Sequence, residues 1–267
     1  HLAESARGEG AGEAWVAATL ELLEIPHTSA GSETLMLCRD KPLAKALLRE
    51  AGLPVIAQAI SRDGNLPAAL PPAPWISKPA REDGSSGIGI DAVTGDRKTL
   101  ARRVRRLYEA FRQTVLIESY IDGREFCVGV VGAAMLPVSE VDFSGYPEGE
   151  PRIVAYEAKW RPDTDYFRGT TTRCPAPIPP ELSQRLASLG RSALDAMGVH
   201  GYGRVDMRGD ASGQFFILEV NPNPDLSPDA GLARMADAEG WGYNGLVERI
   251  LARAFTPIPP RQKRPAP

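Results

Sequence analysis

The sequence predicts an α+β protein, in which short strands and amphipathic helices follow one another without a strict β-α-β order. Pairs of hairpin-like strands occur along the chain, and stripes of apolar residues at helical spacing separate them. The 267 residues are 43% hydrophobic and 24% charged, which is typical of a globular chain. The net charge of −3 argues against a dedicated nucleic-acid or anionic-membrane binder.

The first part of the chain predicts two helices and two short strands. A helix over 13–24 has an apolar stripe of Val16, Leu20 and Leu23. A helix over 40–51 begins at Asp40 as N-cap and ends before Gly52. Its predicted apolar face consists of Leu43, Leu47, Leu48 and Ala51. Strands over 55–60 and 75–78 flank a proline-rich surface loop.

The remaining elements are predicted in the same way, from apolar residues at helical spacing or at the alternate positions of a strand. A basic helix over 97–112 precedes a strand over 115–119, and the segment over 144–175 is polar and too long for a passive connector. The other predicted elements are a hairpin of strands over 124–131 and 135–141, a helix over 180–197, strands over 202–208 and 215–221, and helices over 228–238 and 243–254.

The lack of a long apolar stretch and the dispersed cysteines suggest a cytoplasmic protein. His1 leads into a glycine-rich loop, which we interpret either as the tail of a domain whose beginning is absent or as the start of a processed or trimmed chain. The proline-rich, basic tail over 257–267 is expected to be disordered. No window reaches 18 apolar residues, and no secretory stretch opens the chain. The dispersed Cys38, Cys127 and Cys174 lack the spacing of a disulfide scaffold or a zinc site, and they suit a reducing cytosol.

Two neighbouring strands near the end of the chain carry polar residues at alternate positions. If their apolar sides enter one core, register places the polar side chains together on the other face, namely Arg204, Asp206, Glu219 and Asn221. An antiparallel hairpin achieves this only with an even-length loop or with a bulge. Two carboxylates and an amide oxygen are ligands that Mg²⁺ prefers. The alternative is an exposed salt-bridge network.

A glycine- and serine-rich loop follows the strand that ends with Lys78. The segment Asp83-Gly84-Ser85-Ser86-Gly87 can bring backbone N–H groups and hydroxyls against phosphate oxygens. It is not a P-loop, and by itself an ordinary hairpin turn is the better explanation. Lys41 by itself is interpreted as a solvated lysine. The segment from Glu118 to Glu125 resembles a linker between two lobes, where ligand clefts are favoured.

In their order and spacing, these segments resemble the ATP-grasp enzymes, and within them the D-alanine–D-alanine ligase branch. The strings that carry the resemblance are DKPLAKALLREAGLPV, KPAREDGSSGIGI, ESYIDGREF, YEAKW, CPAP, GYGRVD and LEVNPNP, over about 40–240. The resemblance implies an ATP-grasp fold of two α+β lobes that clasp ATP. Its expected divisions are an N-terminal α/β remnant (1–37), a small lobe (38–121), a large lobe (122–256) and the tail (257–267).

The resemblance also implies a role for each candidate residue. Lys41 and Lys78 would contact the ATP phosphates, with the loop of Ser85, Ser86 and Gly87 folding over them. Adenine would lie against the linker at Glu118, Tyr120 and Ile121, and the ribose against Glu125. Lys159 would close over the γ-phosphate from a lid over 144–175. Asp206, Glu219 and Asn221 would bind two Mg²⁺ ions, and Arg204 would stabilise the oxyanion formed when an amine attacks an acyl phosphate. Lys159, Ser86 and Arg204 are therefore the catalytic candidates.

The expected reaction is ATP-dependent ligation of a carboxylate to an amine on amino-acid or peptide substrates. Transfer of the γ-phosphoryl group to the carboxylate requires fixed cations and metal, and the resulting acyl phosphate must be kept from water. No cysteine or serine nucleophile set is needed. The partners are therefore small molecules rather than nucleic acid or membrane, and a homodimer is compatible with the resemblance.

Three positions depart from the ligase pattern. Asp225 stands where the family has glycine, Ala230 stands where it has serine, and Trp160 replaces the usual tyrosine of the lid. An acid beside the acceptor site would repel a free carboxylate. Of the N-terminal domain that supplies an acid for the first substrate, Glu4 and Glu13 remain.

Several alternative functions stay open at this point. They are an authentic D-alanine–D-alanine ligase, a non-catalytic ATP-binding module, and nucleic-acid binding by the arginine-rich helix. The first requires D-alanine as the amino-acid substrate, and the second predicts ATP binding without acyl-phosphate formation. Nearby acids and the net charge favour a solvated face for the arginine-rich helix.

Overall fold

Helices and antiparallel sheets are mixed in the computed structural model, which describes residue 3 and residues 5–255 and confirms the α+β class. Glu4 and the tail predicted to be disordered lie outside the described residues. The chain begins with three helices, α1 (Gly12–Leu22), α2 (Ser32–Arg39) and α3 (Lys41–Glu50). The sequence patterns did not predict α2.

Asp40 caps α3 as predicted, because its side chain accepts a hydrogen bond from the backbone N–H of Leu43 at 3.1 Å. The predicted apolar face of α3 is partly wrong: Leu48 is buried and Leu47 packs against the core as predicted, but Leu43 and Ala51 are exposed. Leu43 is 44% exposed, and the buried residues of the helix are Lys41, Ala44, Lys45 and Leu48. The predicted stripe of α1 is also wrong, since Ala14 and Ala17 are buried and Leu23 is exposed. In both helices the neighbouring elements decide which face is covered.

A small antiparallel sheet follows. Its elements are β1 (Gln58–Ser61), β2 (Trp75–Pro79), β3 (Val93–Thr94), α4 (Arg97–Phe111) and β4 (Val115–Ser119). The strand order is β1-β4-β2-β3. Helix α4 packs on one face through Leu100, Val104 and Leu107, which lie with Val115 and Ile117 in a shared core. The basic residues of α4 lie mostly on its other faces, as the predicted amphipathic pattern requires.

A larger antiparallel sheet follows. Its strands are β5 (Glu125–Val131), β6 (Ala134–Met135), β7 (Ser139–Asp142), β8 (Thr171–Arg173), β9 (Tyr202–Gly209) and β10 (Phe215–Asn221). They pair in the order β10-β9-β5-β7-β8, with β6 also on β5. The predicted hairpin partner of β5 is thus split into β6 and β7.

The segment over 144–175 is not purely a loop. It contains the short helices α5 (Tyr156–Trp160) and α6 (Asp165–Arg168) before β8. We refer to residues 144–175 as the lid segment.

The helix α7 (Pro180–Met197) covers the inner face of the larger sheet and matches its predicted bounds. Leu186, Leu194 and Met197 are almost fully buried there with Val205 and Met207 of β9. Burial of each such side chain contributes about 1.5–3 kcal/mol. The last helices are α8 (Gly231–Ala238) and α9 (Gly242–Ala254). None of the helices within residues 5–255 combines the length and apolar character needed to cross a bilayer.

Candidate active site

A β-bulge places the two candidate metal-binding carboxylates on the same face of the larger sheet. The turn between β9 and β10 has five residues, 210–214, because Gly209 pairs with Phe215. Continuing that register would place Glu219 opposite Val205, on the core side. The register shifts between Ile217 and Glu219, so Glu219 lies directly opposite Asp206. The sequence-based condition of an even loop or a bulge is therefore met by the bulge.

The same bulge corrects the predicted faces of β10. Phe216 and Leu218 were expected on the core side with Val220, and Ile217 on the polar side. Instead Phe215, Ile217 and Val220 enter the core, and Ile217 is fully buried. Leu218, at the bulge, lines the cleft between the two sheets.

Arg204 and Asp206 form a two-point ion pair on β9. The Nε and Nη2 atoms of Arg204 donate to the two carboxylate oxygens of Asp206 at 2.7 and 2.9 Å. Asp206, as the largest influence, raises the pKa of Arg204, so this guanidinium is a permanent cation. The Asn221 side chain accepts from the backbone N–H of Asn223 at 3.0 Å. Asn221 pairs with Arg204 across the sheet, so the predicted polar group lies together.

Lys41 lies beside Glu219 and is buried rather than solvated. Its Nζ atom is 3.1 Å from a Glu219 oxygen and 3.2 Å from an Asp83 oxygen, and it also donates to the carbonyl of Glu82. Burial disfavours the charge on Lys41, but Glu219 and Asp83 outweigh it and raise its pKa. Burial also opposes ionisation of Glu219, yet Lys41 and Lys78 hold the pKa of Glu219 at about 2. The cleft therefore contains ionised acids and bases in close contact.

Glu118 lies between two buried lysines at the floor of the cleft. Its oxygens contact Nζ of Lys45 and, at 2.9 Å, Nζ of Lys78. Lys45 is 2% exposed and Glu118 is 1% exposed. Burial works against the carboxylate, but the two lysines lower the pKa of Glu118 to about 2. Burial lowers the pKa of Lys45 to about 8, with Glu118 opposing the change.

The predicted linker residues line one end of the cleft. Tyr120, Ile121 and Glu125 surround a cavity of about 120 Å³ together with Lys78, Ser85, Lys159, Asp206, Arg208 and Glu219. Burial raises the pKa of Glu125, which Arg208 opposes from 3.3 Å. Ligand pockets of roughly 300–1,000 Å³ are usual. The cleft is therefore closed in this conformation, and admission of a nucleotide requires it to open.

The glycine-serine loop and the lid segment close the cleft by binding each other. The Ser85 hydroxyl donates to the carbonyl of Val154 at 2.7 Å, and the indole N–H of Trp160 donates to the carbonyl of Gly84 at 2.9 Å. The backbone N–H of Tyr156 donates to the carbonyl of Ile88 at 2.8 Å. Lys159 lies on the short helix α5 rather than on an irregular loop, and its side chain lines the cavity.

Ser86 and Gly87 shape this loop. The backbone N–H of Ser86 donates to the carbonyl of Asp83 at 3.1 Å. Gly87 has a φ of 75°, and a Cβ atom there would lie 2.6 Å from the Pro79 ring. Only glycine fits this close turn without strain. The catalytic role expected for Ser86 stays a prediction.

Glu13 reaches the loop that follows β10. Its carboxylate accepts from the amide of Asn223 at 2.6 Å, and the Asn223 amide oxygen accepts from the hydroxyl of Tyr202. Asp225 accepts from the backbone N–H and the hydroxyl of Ser227 at 2.8 and 2.7 Å. This loop leads to Gly231 at the start of α8, where a Cβ atom would lie 3.8 Å from the Arg204 guanidinium.

The donor set fits magnesium bound together with phosphate. No cluster of three or more His, Cys, Asp or Glu side chains occurs within residues 5–255 that could hold an ion alone. Mg²⁺ usually takes one or two carboxylates and completes its octahedron with water and substrate phosphate. Asp206 and Glu219, paired across two strands beside an amide oxygen, match this requirement.

Sequence patterns missed three residues of the cleft, namely Lys45, Asp83 and Arg208. Lys45 lies one helical turn after Lys41, so the spacing of four was a usable signal for a shared face. Asp83 lies in the glycine-serine loop, where an acid is not expected beside phosphates. Arg208 continues the alternation of Arg204 and Asp206 along β9.

Comparison with known proteins places this site in a family. A family model described as "D-ala D-ala ligase C-terminus" matches residues 68–252. A D-alanine–D-alanine ligase of Haemophilus influenzae is 31% identical over 252 residues, covering 91% of this chain and 80% of the relative. A D-alanine–D-alanine ligase of Syntrophotalea carbinolica is 36% identical over 239 residues, covering 88% of this chain and 72% of the relative. An uncharacterised protein of Sinorhizobium fredii is 31% identical over 254 residues, covering 94% of this chain and 72% of the relative.

Solved structures agree on the fold. The crystal structure of a Bacillus anthracis D-alanine–D-alanine ligase complexed with ATP matches with a TM-score of 0.71 and 23% identity, over 90% of this chain and 73% of that chain. The matches confirm the predicted ATP-grasp fold, a C–N bond-forming ligase activity, and dependence on ATP and Mg²⁺. The chain therefore belongs to the D-alanine–D-alanine ligase family and is an ATP-dependent carboxylate–amine ligase.

Proposed function

We propose that this ligase joins amino-acid-like substrates. Different residues of the cleft would contact different parts of the bound ATP and of the reacting groups. Carboxylates are poor electrophiles, and phosphorylation by ATP makes an acyl phosphate that an amine can attack. The observation that carries this assignment is the opposition of Asp206 and Glu219 across the bulged strand pair, beside Lys41. The names of the relatives make D-alanine the first amino acid to test.

The phosphate end of the cleft is formed by lysines and the glycine-serine loop. Lys41 and Lys78 would contact phosphate oxygens as fixed cations, and Ser85 to Gly87 would fold over them. Their buried positions support this role, because a buried ammonium requires an anion in contact with it. Glu118 and Glu219 supply those anions in the closed cleft.

Asp206, Glu219 and Asn221 would hold two Mg²⁺ ions. The metal supplies positive charge that offsets the charge on the transferring phosphoryl group. Lys41, which contacts Glu219, keeps that carboxylate ionised. Arg204 orients Asp206 through its two hydrogen bonds to the carboxylate.

Arg204 would stabilise the oxyanion that forms when the amine attacks. Its guanidinium is held by two hydrogen bonds to Asp206 and lies near the start of α8. A fixed donor of this kind requires no reorganisation during the reaction. The acceptor amine would then lie between Arg204 and the loop that contains Asp225.

The lid segment would keep water from the acyl phosphate. Trp160 and Val154 hydrogen-bond to the glycine-serine loop, so the lid segment and this loop would cover the acyl phosphate jointly. Lys159 would reach the γ-phosphate from α5. Asp225 supports an acceptor other than free D-alanine, because its carboxylate would repel that of the amino acid.

The free cysteines support a cytosolic location, since Cys38, Cys127 and Cys174 are all unpaired. The homodimer stays a prediction, and light scattering on the purified chain tests it.

The test of this function is ADP release in the presence of Mg²⁺, ATP and a panel of single amino acids and dipeptides. Asp206→Asn and Glu219→Gln are expected to reduce the rate by at least 100-fold, because each removes a metal-binding charge. Asp210→Asn, in the exposed β9–β10 turn, is the matched control and is expected to leave the rate unchanged. Near-normal turnover in Glu219→Gln contradicts the proposed metal site.

A further inference from the structure

Arg208 is an unusual residue of the cleft because it is cationic, deeply buried and incompletely paired. Only 4% of the residue is exposed, yet it lines the cavity with Tyr120 and Glu125. Its Nη2 atom donates to the carbonyl of Arg152 at 2.5 Å and lies 3.3 Å from a Glu125 oxygen. Its Nε atom is buried and has no hydrogen-bond partner in the described part of the chain. An unpaired buried donor of a charged group is costly and calls for an explanation.

The position of Arg208 on β9 indicates which part of a ligand it would meet. Arg204, Asp206 and Arg208 alternate on the cleft side of one strand. Alternate residues are about 6.7 Å apart, so Arg204 and Arg208 are separated by about 13 Å along the strand. With Arg204 at the reacting end and Asp206 at the phosphates, Arg208 lies at the nucleoside end, next to the linker.

Two neighbours hold the guanidinium of Arg208 in place. Its Cζ atom lies 5.6 Å from the ring centroid of Tyr120 and 5.7 Å from that of Phe143. Glu125 pairs directly with Arg208 in the register of β5 and β9. The carboxylate of Glu125 and the N–H groups of Arg208 therefore form an acceptor and a donor at one place, which is the combination that a hydroxyl group requires.

We propose that Arg208 reads the ribose of the bound nucleotide, with Nε donating to a ribose hydroxyl oxygen while that hydroxyl donates to Glu125. This inference rests on the proposed placement of ATP in the cleft and adds a specificity residue to it. A site built to hydrogen-bond a hydroxyl discriminates against the analogue that lacks it, because its polar groups are then left unpaired.

The test compares binding of ATP, 2′-deoxy-ATP and 3′-deoxy-ATP, each with Mg²⁺ and without amino acid, by titration calorimetry on the full chain. The wild type is expected to bind ATP at least tenfold more tightly than one of the deoxy analogues. Arg208→Met is expected to bring that ratio to within about twofold of one. Because the ratio is internal to each variant, a partly unfolded sample does not change it. Arg105→Met, on the exposed face of α4, is the matched control and is expected to keep the wild-type ratio.

The outcomes separate the inference from the function on which it rests. ATP binding by the wild type with an unchanged ratio in Arg208→Met overturns the role of Arg208 and leaves the ligase site intact. Equal affinity of the wild type for all three nucleotides also overturns it. Absence of ATP binding by the wild type overturns the placement of ATP and this inference together. Arg208→Lys keeps the charge but loses the planar arrangement of N–H donors. Its ratio of ATP affinity to deoxy-ATP affinity is therefore expected to resemble that of Arg208→Met rather than that of the wild type.

Discussion

Replacement of Glu118 by glutamine is expected to destabilise the protein strongly, because this carboxylate compensates two buried ammonium groups. Lys45 and Lys78 both contact it, and both are at least nine-tenths buried. The variant keeps the shape of the side chain and removes only its charge. Lys45 then lies in a closed environment where no other carboxylate of the described residues is in contact with it.

The magnitude follows from the pKa of Glu118. A decrease from 4.5 to about 2 corresponds to about 3 kcal/mol of stabilisation at neutral pH. Breaking a buried ion pair on one side costs about 3–5 kcal/mol. We therefore expect Glu118→Gln to lower the free energy of unfolding by about 3 kcal/mol. For a chain of this size that loss corresponds to a decrease in Tm of about 6–12 °C.

Urea-induced unfolding at pH 7, followed by circular dichroism, measures this loss. Glu109→Gln is the matched control, because Glu109 pairs with Arg105 on the exposed face of α4 and its replacement is expected to cost less than about 0.5 kcal/mol. A loss below about 1 kcal/mol in Glu118→Gln, or one equal to that of the control, would refute the argument from burial.

The same pair predicts a pH dependence of stability. The folded-state pKa of Glu118 lies below its ordinary value, so its contribution is present above pH 4.5 and is lost as the pH falls towards 2. The difference between the wild type and Glu118→Gln is expected to shrink over that window. Lys45 affects stability at alkaline pH. Its pKa is about 8 in the folded protein and 10.5 in the unfolded chain, so the unfolded chain binds more protons between these two pH values. The free energy of unfolding of the wild type is therefore expected to rise as the pH increases from 8 to 10.5. An unfolding free energy that stays flat between pH 8 and 10 contradicts the latter.

Three further substitutions test the cleft through Mg²⁺-dependent ADP release. Arg204→Ala is expected to raise the activation barrier by about 2–4 kcal/mol, which lowers kcat by about 30- to 1,000-fold, and an unchanged kcat removes its role at the oxyanion. Asp83→Asn is expected to lower the KM for ATP by up to about fivefold, because Asp83 competes with phosphate for Lys41, and a raised KM contradicts this. Asp225→Gly is expected to improve kcat/KM for carboxylate-bearing amines by roughly fivefold, and an unaltered substrate range argues against charge repulsion.

The order of the elements could be predicted from the sequence because most of them carry a local signal. Helix α7 has an apolar stripe that includes Leu186, Ala193 and Met197, and it ends at Gly198, whose φ is 70°. The polar alternation on β9 and β10 likewise predicted that the cleft residues would lie on neighbouring strands. In the lid segment the short helices α5 and α6 lack such periodicity, so the sequence indicated only a long polar connection.

The burial of Lys41 and Lys45 shows where local patterns fail. The apolar stripe of α3 pointed to Leu43 as a core residue, yet Leu43 is exposed and the two lysines face inward. What makes this stable is the presence of Glu118 and Glu219, which are 73 and 178 residues further along the chain from Lys45 and Lys41. No window of sequence contains both partners of such a pair.

The sequence by itself determined the chemistry of this protein, because the identity of acids, lysines and glycines at regular spacings is a local property. Only the tertiary structure decided how those groups pair. An odd-length turn would have turned Glu219 away from Asp206, and a single bulged residue, Leu218, returns it to the cleft. Strand register and the exclusion of water depend on the whole packed sheet, and these two conditions set which charges meet and how strongly they interact.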